Sequence, residues 1–138
     1  MLVKQEMTSP VESTVPSASV REAAQKMKKF NVGALPVCEN DKLIGIVTDR
    51  DITIRLTAAG KDPAFTTVRE IMTSSVERCR EDEQIESVAR RMETKKIRRI
   101  AVVDQYERLV GMLSLGDLAV RGSNDVACKI LEKVSAAA

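Results

Sequence analysis

The stretch Leu43-Ile44-Gly45-Ile46-Val47-Thr48-Asp49-Arg50-Asp51 joins a short apolar run to a polar end, and a related stretch occupies Leu109–Asp117. In both, a glycine, a hydroxyl residue and an aspartate follow one another at intervals of three. A short apolar run of this kind predicts a strand, and the aspartate behind it favours the start of a helix. The chain therefore contains two strand-to-helix junctions of the same design.

The self-similarity extends on both sides of these stretches. Met7–Glu12 returns 65 residues later as Met72–Glu77, and the apolar positions that follow match in this register as far as Val37 and Val102. One residue is then inserted near Arg108, so the later positions match at an offset of 66. Matching over this length predicts a tandem duplication. The predicted divisions are a first repeat at 7–66, a linker at 67–71, a second repeat at 72–122 and a C-terminal helix at 123–138.

Each repeat carries the pattern of a helix followed by a hairpin. Apolar residues between Val20 and Phe30 recur at helical spacing, with Ser17 as the expected N-cap, and Asp82 takes that place in the second repeat. Apolar runs separated by turn-forming residues then predict a β-hairpin. The hairpin strands are expected at 34–38 and 43–47, and again at 100–103 and 109–113.

A strand before the first helix and a helix after the hairpin complete a repeat of order β-α-β-β-α. The second helix is expected to begin near Asp51 in one repeat and near Asp117 in the other. Pro36 lies within the first hairpin strand and predicts an edge or irregular strand there. A unit of about 50 to 60 residues buries little apolar surface alone, so two copies packed sheet to sheet are predicted, an α+β fold.

Composition excludes several classes of function. The 22 Lys+Arg and 20 Asp+Glu leave a net charge of +2, which does not favour a nucleic-acid or membrane-surface protein. The chain has no histidine, so Ser-His-Asp and Cys-His catalysis are excluded. Cys38, Cys79 and Cys128 are widely spaced and predict reduced core thiols, not a metal site. Since no apolar run reaches the length of a signal peptide or membrane span, a soluble cytoplasmic protein is expected.

The repeated motifs resemble those of a known family, the CBS domain. The residues that carry the resemblance are Met7–Thr8, Met72–Thr73, Asn31–Val37 and above all Leu43–Asp51. Two copies covering about 7–122 are similar to a CBS domain pair, or Bateman module, in a small stand-alone form. The resemblance implies a pseudo-twofold pair of repeats with two clefts that bind adenosine-containing ligands, and often a homodimer formed through helices.

The resemblance also implies roles for particular residues. Asp51 and Asp117 would accept hydrogen bonds from ribose hydroxyls, while Thr48 and Ser114 would meet ribose or phosphate near a helix start. The residues implied for the nucleotide site are Val32, Gly33, Ala34, Pro36, Thr48, Asp51, Arg98 and Arg99, and those implied for a second, weaker site are Ser114 and Asp117.

Arg98 and Arg99 distinguish the two repeats, because they align with the uncharged Gly33 and Ala34. Arginine offers a forked set of donors that suits phosphate. Family geometry implies that this pair reaches the ligand held by the opposite repeat, so the cleft of Asp51 is predicted to be the phosphate-bearing one.

The same residues have structural interpretations that the sequence leaves open. Asp51 and Asp117 are also good helix N-caps. Arg98 and Arg99 belong to the basic run 95–99, which is also typical of a solvated face.

The predicted function is a non-catalytic regulatory module that needs no cofactor, takes AMP, ADP or ATP as regulatory ligand, and signals to an unidentified partner protein. Neither nucleic acid nor a membrane is an expected partner. The alternatives are a sensor of S-adenosylmethionine or NAD(H), and a ligand-free module for protein assembly. Catalysis is disfavoured because no nucleophile has a base at a recognisable spacing.

Overall fold

The computed structural model describes residues 1–121 and 124–136, which form two compact units. The central unit is Glu12–Val76. The terminal unit joins Met1–Val11 to the described residues from Glu77 onward. The start of the first repeat therefore folds with the body of the second.

Short strands and helices alternate along both units. Their bounds in chain order are α1 Val3–Glu6, α2 Val20–Phe30, β1 Ala34–Glu39, β2 Lys42–Thr48, α3 Asp49–Asp51 continuing into a π-helical segment Ile52–Thr57, α4 Val68–Ile71, β3 Arg78–Arg80, α5 Ile85–Lys95, β4 Arg99–Val103, β5 Leu109–Ser114, α6 Leu115–Arg121 and α7 Asn124–Ala136.

The central unit is built on the antiparallel hairpin of β1 and β2. Ala34 pairs with Thr48 at the open end, and the register shifts between Val37 and Cys38, so the irregular strand predicted from Pro36 is confirmed. Alternate residues of the hairpin point into an aliphatic core because successive side chains of a strand face opposite sides. That core also takes residues from α2 and α4, and its members include Val20, Ala23, Met27, Leu35, Val37, Val47, Val68 and Ile71.

The terminal unit holds a three-stranded sheet in which β3 runs parallel to β4 and β4 runs antiparallel to β5. Its core joins the sheet to α5 and α7, with Ala127 and Ile130 of α7 packed among the buried residues. The predicted C-terminal helix is therefore present as α7; residues 123, 137 and 138 of the prediction lie outside the described part of the chain. Both predicted hairpins are found within one residue of their expected bounds.

The segment expected to be a linker, 67–71, instead contains the helix α4, whose two apolar residues are buried. A reciprocal cap forms at its start, where Glu70 Oε2 accepts a hydrogen bond from Thr67 N at 2.7 Å. Val68 and Ile71 are completely buried in the core of the central unit. The matching helix α1 precedes the first repeat, so the duplicated unit begins before Met7 and Met72.

The strand predicted to open each repeat forms only in the second, as β3. In the first, Thr14 makes a single parallel bridge to Val37. Pro16, two residues after Thr14, lacks the N–H that a longer ladder needs on its C-terminal side.

Both predicted N-caps are two residues too early. The Ser19 hydroxyl, not that of Ser17, accepts the hydrogen bond from Glu22 N at 3.1 Å. Gln84, not Asp82, precedes α5, and its side chain makes no capping bond.

Two of the three cysteines are core residues. Burial raises the pKa of the Cys79 thiol to about 12 and also raises the pKa of Cys38. Cys128 is exposed on α7, so the prediction of a core thiol is wrong there. Within the described residues, no helix is long and apolar enough to cross a membrane.

Candidate functional site

Each unit places a carboxylate at the junction where a hairpin strand runs into a helix. In the central unit, β2 ends at Thr48 and α3 begins. Asp51 Oδ2 accepts a hydrogen bond from Thr48 N at 3.0 Å, and Thr48 Oγ1 accepts one from Asp51 N at 3.1 Å. This reciprocal cap fixes the carboxylate and satisfies two backbone donors that a helix start leaves free. Asp51 is only 9% exposed.

A short piece of backbone, Ile71–Thr73, passes over the hairpin at this junction; we call it the crossing segment. Thr73 N donates to Ile46 O at 2.8 Å, and Ile46 N donates to Thr73 O at 2.9 Å. The Thr73 hydroxyl then lies 3.4 Å from Asp51 Oδ1. Residues from the start of the second repeat therefore complete the surroundings of the first repeat's carboxylate.

The terminal unit repeats this arrangement. Asp117 Oδ2 accepts a hydrogen bond from Ser114 N at 2.9 Å, and Ser114 Oγ accepts one from Asp117 N at 3.0 Å. Thr8 pairs with Met112 through both backbone bonds, and its hydroxyl donates to Asp117 Oδ1 at 3.0 Å. The duplication thus reproduces the donors and acceptors as well as the fold.

Glycine is required where these segments cross the hairpins. A Cβ added at Gly45 would lie 2.9 Å from Thr73 O and 2.9 Å from Met72 Sδ. A Cβ at Gly111 would lie 2.9 Å from Thr8 O and 2.6 Å from Met7 Sδ. The glycine of the repeated sequence motif therefore permits the close approach that brings a threonine to each carboxylate.

The other residues predicted for the first site divide between the two units. Gly33 O accepts a hydrogen bond from Asp49 N at 2.9 Å, and Ala34 pairs with Thr48, so this edge of the hairpin meets the Asp51 junction. Val32 is 41% exposed just before it. Pro36 is buried two residues further along β1 and pairs with Ile46, not with the junction itself.

Arg98 and Arg99 lie in the terminal unit, which also contains Ser114 and Asp117. Arg98 O accepts a hydrogen bond from Leu115 N at 2.8 Å, and Arg99 pairs with Ser114 across the strands. Both arginines are exposed. Their backbone positions match those of Gly33 and Ala34, as the sequence alignment predicts.

Sequence reasoning missed three contributors to these junctions. Thr8 and Thr73 each place a hydroxyl near a carboxylate, and their signal was the Met-Thr pair that opens both repeats. Arg55 contacts Asp51, with Nε 3.8 Å from Oδ1. Its signal was an arginine at the corresponding position, 121, of the second repeat.

The arrangement favours binding over bond-making. Each carboxylate has one oxygen occupied by a backbone N–H, and the other lies beside a hydroxyl. Such a group is a fixed acceptor for paired hydroxyl donors. Among residues 1–121 and 124–136, no group of three or more His, Cys, Asp or Glu side chains could hold a metal ion.

Comparison with known proteins decides the family. The sequence profile of the CBS domain matches this chain twice, at residues 3–57 and 68–122. The chain belongs to the CBS domain family. It is 42% identical over 134 residues to the CBS domain-containing protein YhcV of Bacillus subtilis, covering 96% of this chain and 94% of that protein.

Solved structures of CBS proteins share its fold. The crystal structure of Hypoxic Response Protein I, with two coordinated zinc ions, has a TM-score of 0.79 at 32% identity and covers 88% of this chain and 98% of that one. The CBS domain pair of protein MJ0100, solved with 5′-methylthioadenosine and S-adenosyl-L-methionine, has a TM-score of 0.76 at 35% identity, covering 86% and 93%. The predicted tandem α+β fold is confirmed, and CBS pairs are regulatory ligand-binding modules.

Proposed function

We propose that this chain is a non-catalytic regulatory module in which Asp51 and Asp117 accept hydrogen bonds from the ribose hydroxyls of adenosine-containing ligands. The observation that carries the proposal is the duplicated junction, in which a capped carboxylate keeps one oxygen beside a threonine hydroxyl. Hydrogen bonds to a charged acceptor contribute about 1.5–3 kcal/mol each. The adenosine-type ligands of the MJ0100 pair, 35% identical to this chain, support the choice of ligand class.

The finer proposal is a nucleotide with phosphate, AMP, ADP or ATP, ahead of S-adenosylmethionine or NAD(H). Arg98 and Arg99 support it, because two exposed guanidinium groups precede and begin β4. Guanidinium binds phosphate oxygens through paired donors. The first repeat has the uncharged Gly33 and Ala34 at these positions. We therefore expect the sites of Asp51 and Asp117 to differ in their preference for a ligand with phosphate.

Regulation follows from differential binding. A ligand that binds one arrangement of the module more tightly shifts the population toward it, and a partner that reads that arrangement responds. We also propose a homodimer formed through helices, which light scattering of the purified protein measures directly.

The proposal predicts a thermal shift with adenosine-containing ligands. A ligand at one hundred times its Kd stabilises the native state by about 2.7 kcal/mol, which raises the Tm of a domain of this size by several degrees. The panel is AMP, ADP, ATP, NADH, S-adenosylmethionine and adenosine, with GMP as the control for the base. A shift with adenosine compounds and none with GMP is expected. If no compound shifts the Tm, ligand binding is refuted and the ligand-free assembly module replaces it.

The arginine pair predicts a phosphate-dependent loss of affinity. Replacing Arg98→Gln and Arg99→Gln together is expected to weaken AMP binding at least tenfold by calorimetry and to leave adenosine within twofold. The matched control, Lys95→Gln with Lys96→Gln, removes the same charge from the same basic run and should leave both ligands unchanged. Equal losses for AMP and adenosine would contradict the phosphate role.

The same pair of substitutions identifies the carboxylate that shares a ligand with the arginines. The arginine substitutions are combined with Asp51→Ala or with Asp117→Ala in a double-mutant cycle. If one of these carboxylates binds the same AMP molecule as the arginines, the arginine substitutions no longer weaken AMP binding once that carboxylate has been removed. The sequence-based prediction assigns the pair to Asp51. Coupling to Asp117 instead would overturn that assignment and keep the phosphate role.

A further inference from the structure

Arg55 is held by three acceptors at once, although its side chain is half exposed. Its Nη1 donates to Ile71 O at 3.2 Å and to Met72 O at 3.0 Å. Its Nε lies 3.8 Å from Asp51 Oδ1. One guanidinium group therefore joins the candidate ligand-binding carboxylate to two carbonyls of the crossing segment.

These two carbonyls need a donor because α4 ends at this point. The last carbonyls of a helix have no partner within it, and an arginine nearby satisfies them and favours the negative end of the helix dipole. Thr73 follows directly and makes its two backbone bonds to Ile46. Arg55 thus fixes the end of α4 next to the residue whose hydroxyl approaches Asp51.

Asp51 Oδ1 has two neighbours, the Thr73 hydroxyl and the Arg55 guanidinium. The equivalent oxygen, Asp117 Oδ1, has a shorter contact with a threonine hydroxyl. Thr8 Oγ1 donates to Asp117 Oδ1 at 3.0 Å, but Thr73 Oγ1 lies 3.4 Å from Asp51 Oδ1, the oxygen that also faces Arg55. The π-helical segment that follows Asp51 contains Arg55 one turn away, at i+4. Such segments frequently occur at functional sites.

We propose that Arg55 is a positioning residue that holds Asp51 and the crossing segment in the geometry that binds the ligand. The inference rests on the proposed function for its effect on affinity, but not for its effect on the crossing segment. Holding both elements in place before the ligand arrives reduces the ordering that binding must impose. Arg55 also connects Asp51 to the crossing segment, which is the backbone that leads from the first repeat into the second.

The test combines hydrogen exchange of the ligand-free protein with calorimetry. Arg55→Gln is expected to speed exchange of the Thr73 and Ile46 amides about tenfold, with the amides of α2 unchanged. Arg55→Lys, which keeps the charge and a donor, should stay within threefold of the wild type. The matched control Arg21→Gln, an exposed arginine on α2, should leave all of these amides unchanged.

The same variants are then titrated with AMP and with S-adenosylmethionine. Arg55→Gln should weaken whichever ligand the wild type binds by about tenfold, with substantial rescue in Arg55→Lys. Unchanged exchange at Thr73, or equally faster exchange throughout the central unit, would overturn the positioning role. If the wild type binds neither ligand, the proposed function fails for these compounds, while the exchange result still decides whether Arg55 holds the crossing segment.

Discussion

Asp51→Ala is expected to remove the tightest adenosine-ligand binding event, weakening it at least a hundredfold. The substitution deletes the carboxylate proposed to accept the ribose hydroxyls at this junction, and each bond to a charged acceptor contributes about 1.5–3 kcal/mol. It also frees Thr48 N, whose partner is Asp51 Oδ2 at 3.0 Å. Loss of such a cap costs about 1 kcal/mol in stability, too little to unfold a typical domain.

Three further variants separate charge from shape in this experiment. Asp51→Asn keeps the size and one acceptor but loses the charge, so an intermediate loss of roughly ten- to thirtyfold is expected. Asp117→Ala should leave the tightest event in place and remove the weaker one. Asp41→Asn is the matched control, because Asp41 is an exposed aspartate in the turn between β1 and β2, at the opposite end of the hairpin from the Asp51 junction.

Calorimetry reports affinity and stoichiometry together for these four proteins. If Asp51→Ala binds as tightly as the wild type, Asp51 is a helix cap and nothing more, and the site assignment is wrong. If Asp117→Ala has the larger effect, the order of the two sites is reversed.

Local sequence patterns predicted the hairpins and the helices α2 and α5 because these elements depend on residues close together in the chain. The helical spacing of apolar residues from Val20 to Phe30 and the turn residues after Glu39 were sufficient. Helix starts depend on distant contacts. Val68 N donates to Ala18 O, and Ser19 bridges to Thr67, and these distant contacts place the start of α2 after Ser19. Ser17 and Ser19 are chemically alike, so nothing local separates them.

The sequence predicted which side chains form the candidate site, but not which segments of the chain come together there. Asp51 and Asp117 were identified from the repeated motif with the hydroxyl residues that cap them. The exchange of segments was hidden, because alignment treats Met72 and Thr73 as the start of the second repeat. In space they complete the junction of the first repeat. Self-similarity in a sequence shows that two units are alike. It does not show with which unit the segments between the repeats fold.

The glycines that permit this exchange carry the largest expected effect on stability. Gly45→Ala is expected to lower the free energy of unfolding by about 2–3 kcal/mol, in the range typical of overpacked sites. The new methyl carbon would lie 2.9 Å from both Thr73 O and Met72 Sδ. The methionine side chain can move aside, but Thr73 O accepts the hydrogen bond from Ile46 N and cannot retreat without breaking it.

Chemical denaturation of matched variants tests this reasoning. Gly111→Ala faces Thr8 O at 2.9 Å and Met7 Sδ at 2.6 Å and should cost a similar amount in the terminal unit. Gly116→Ala is the control: its nearest contact is Ser114 Oγ at 3.6 Å, and an alanine in α6 is expected to be neutral or stabilising by up to about 1 kcal/mol. Adding Met72→Ala to Gly45→Ala removes the sulfur contact but not the carbonyl contact. Gly45→Ala should therefore still lower the free energy of unfolding when Met72 is already alanine. If it no longer does so, the Met72 side chain, and not the Thr73 carbonyl, is what requires glycine at position 45.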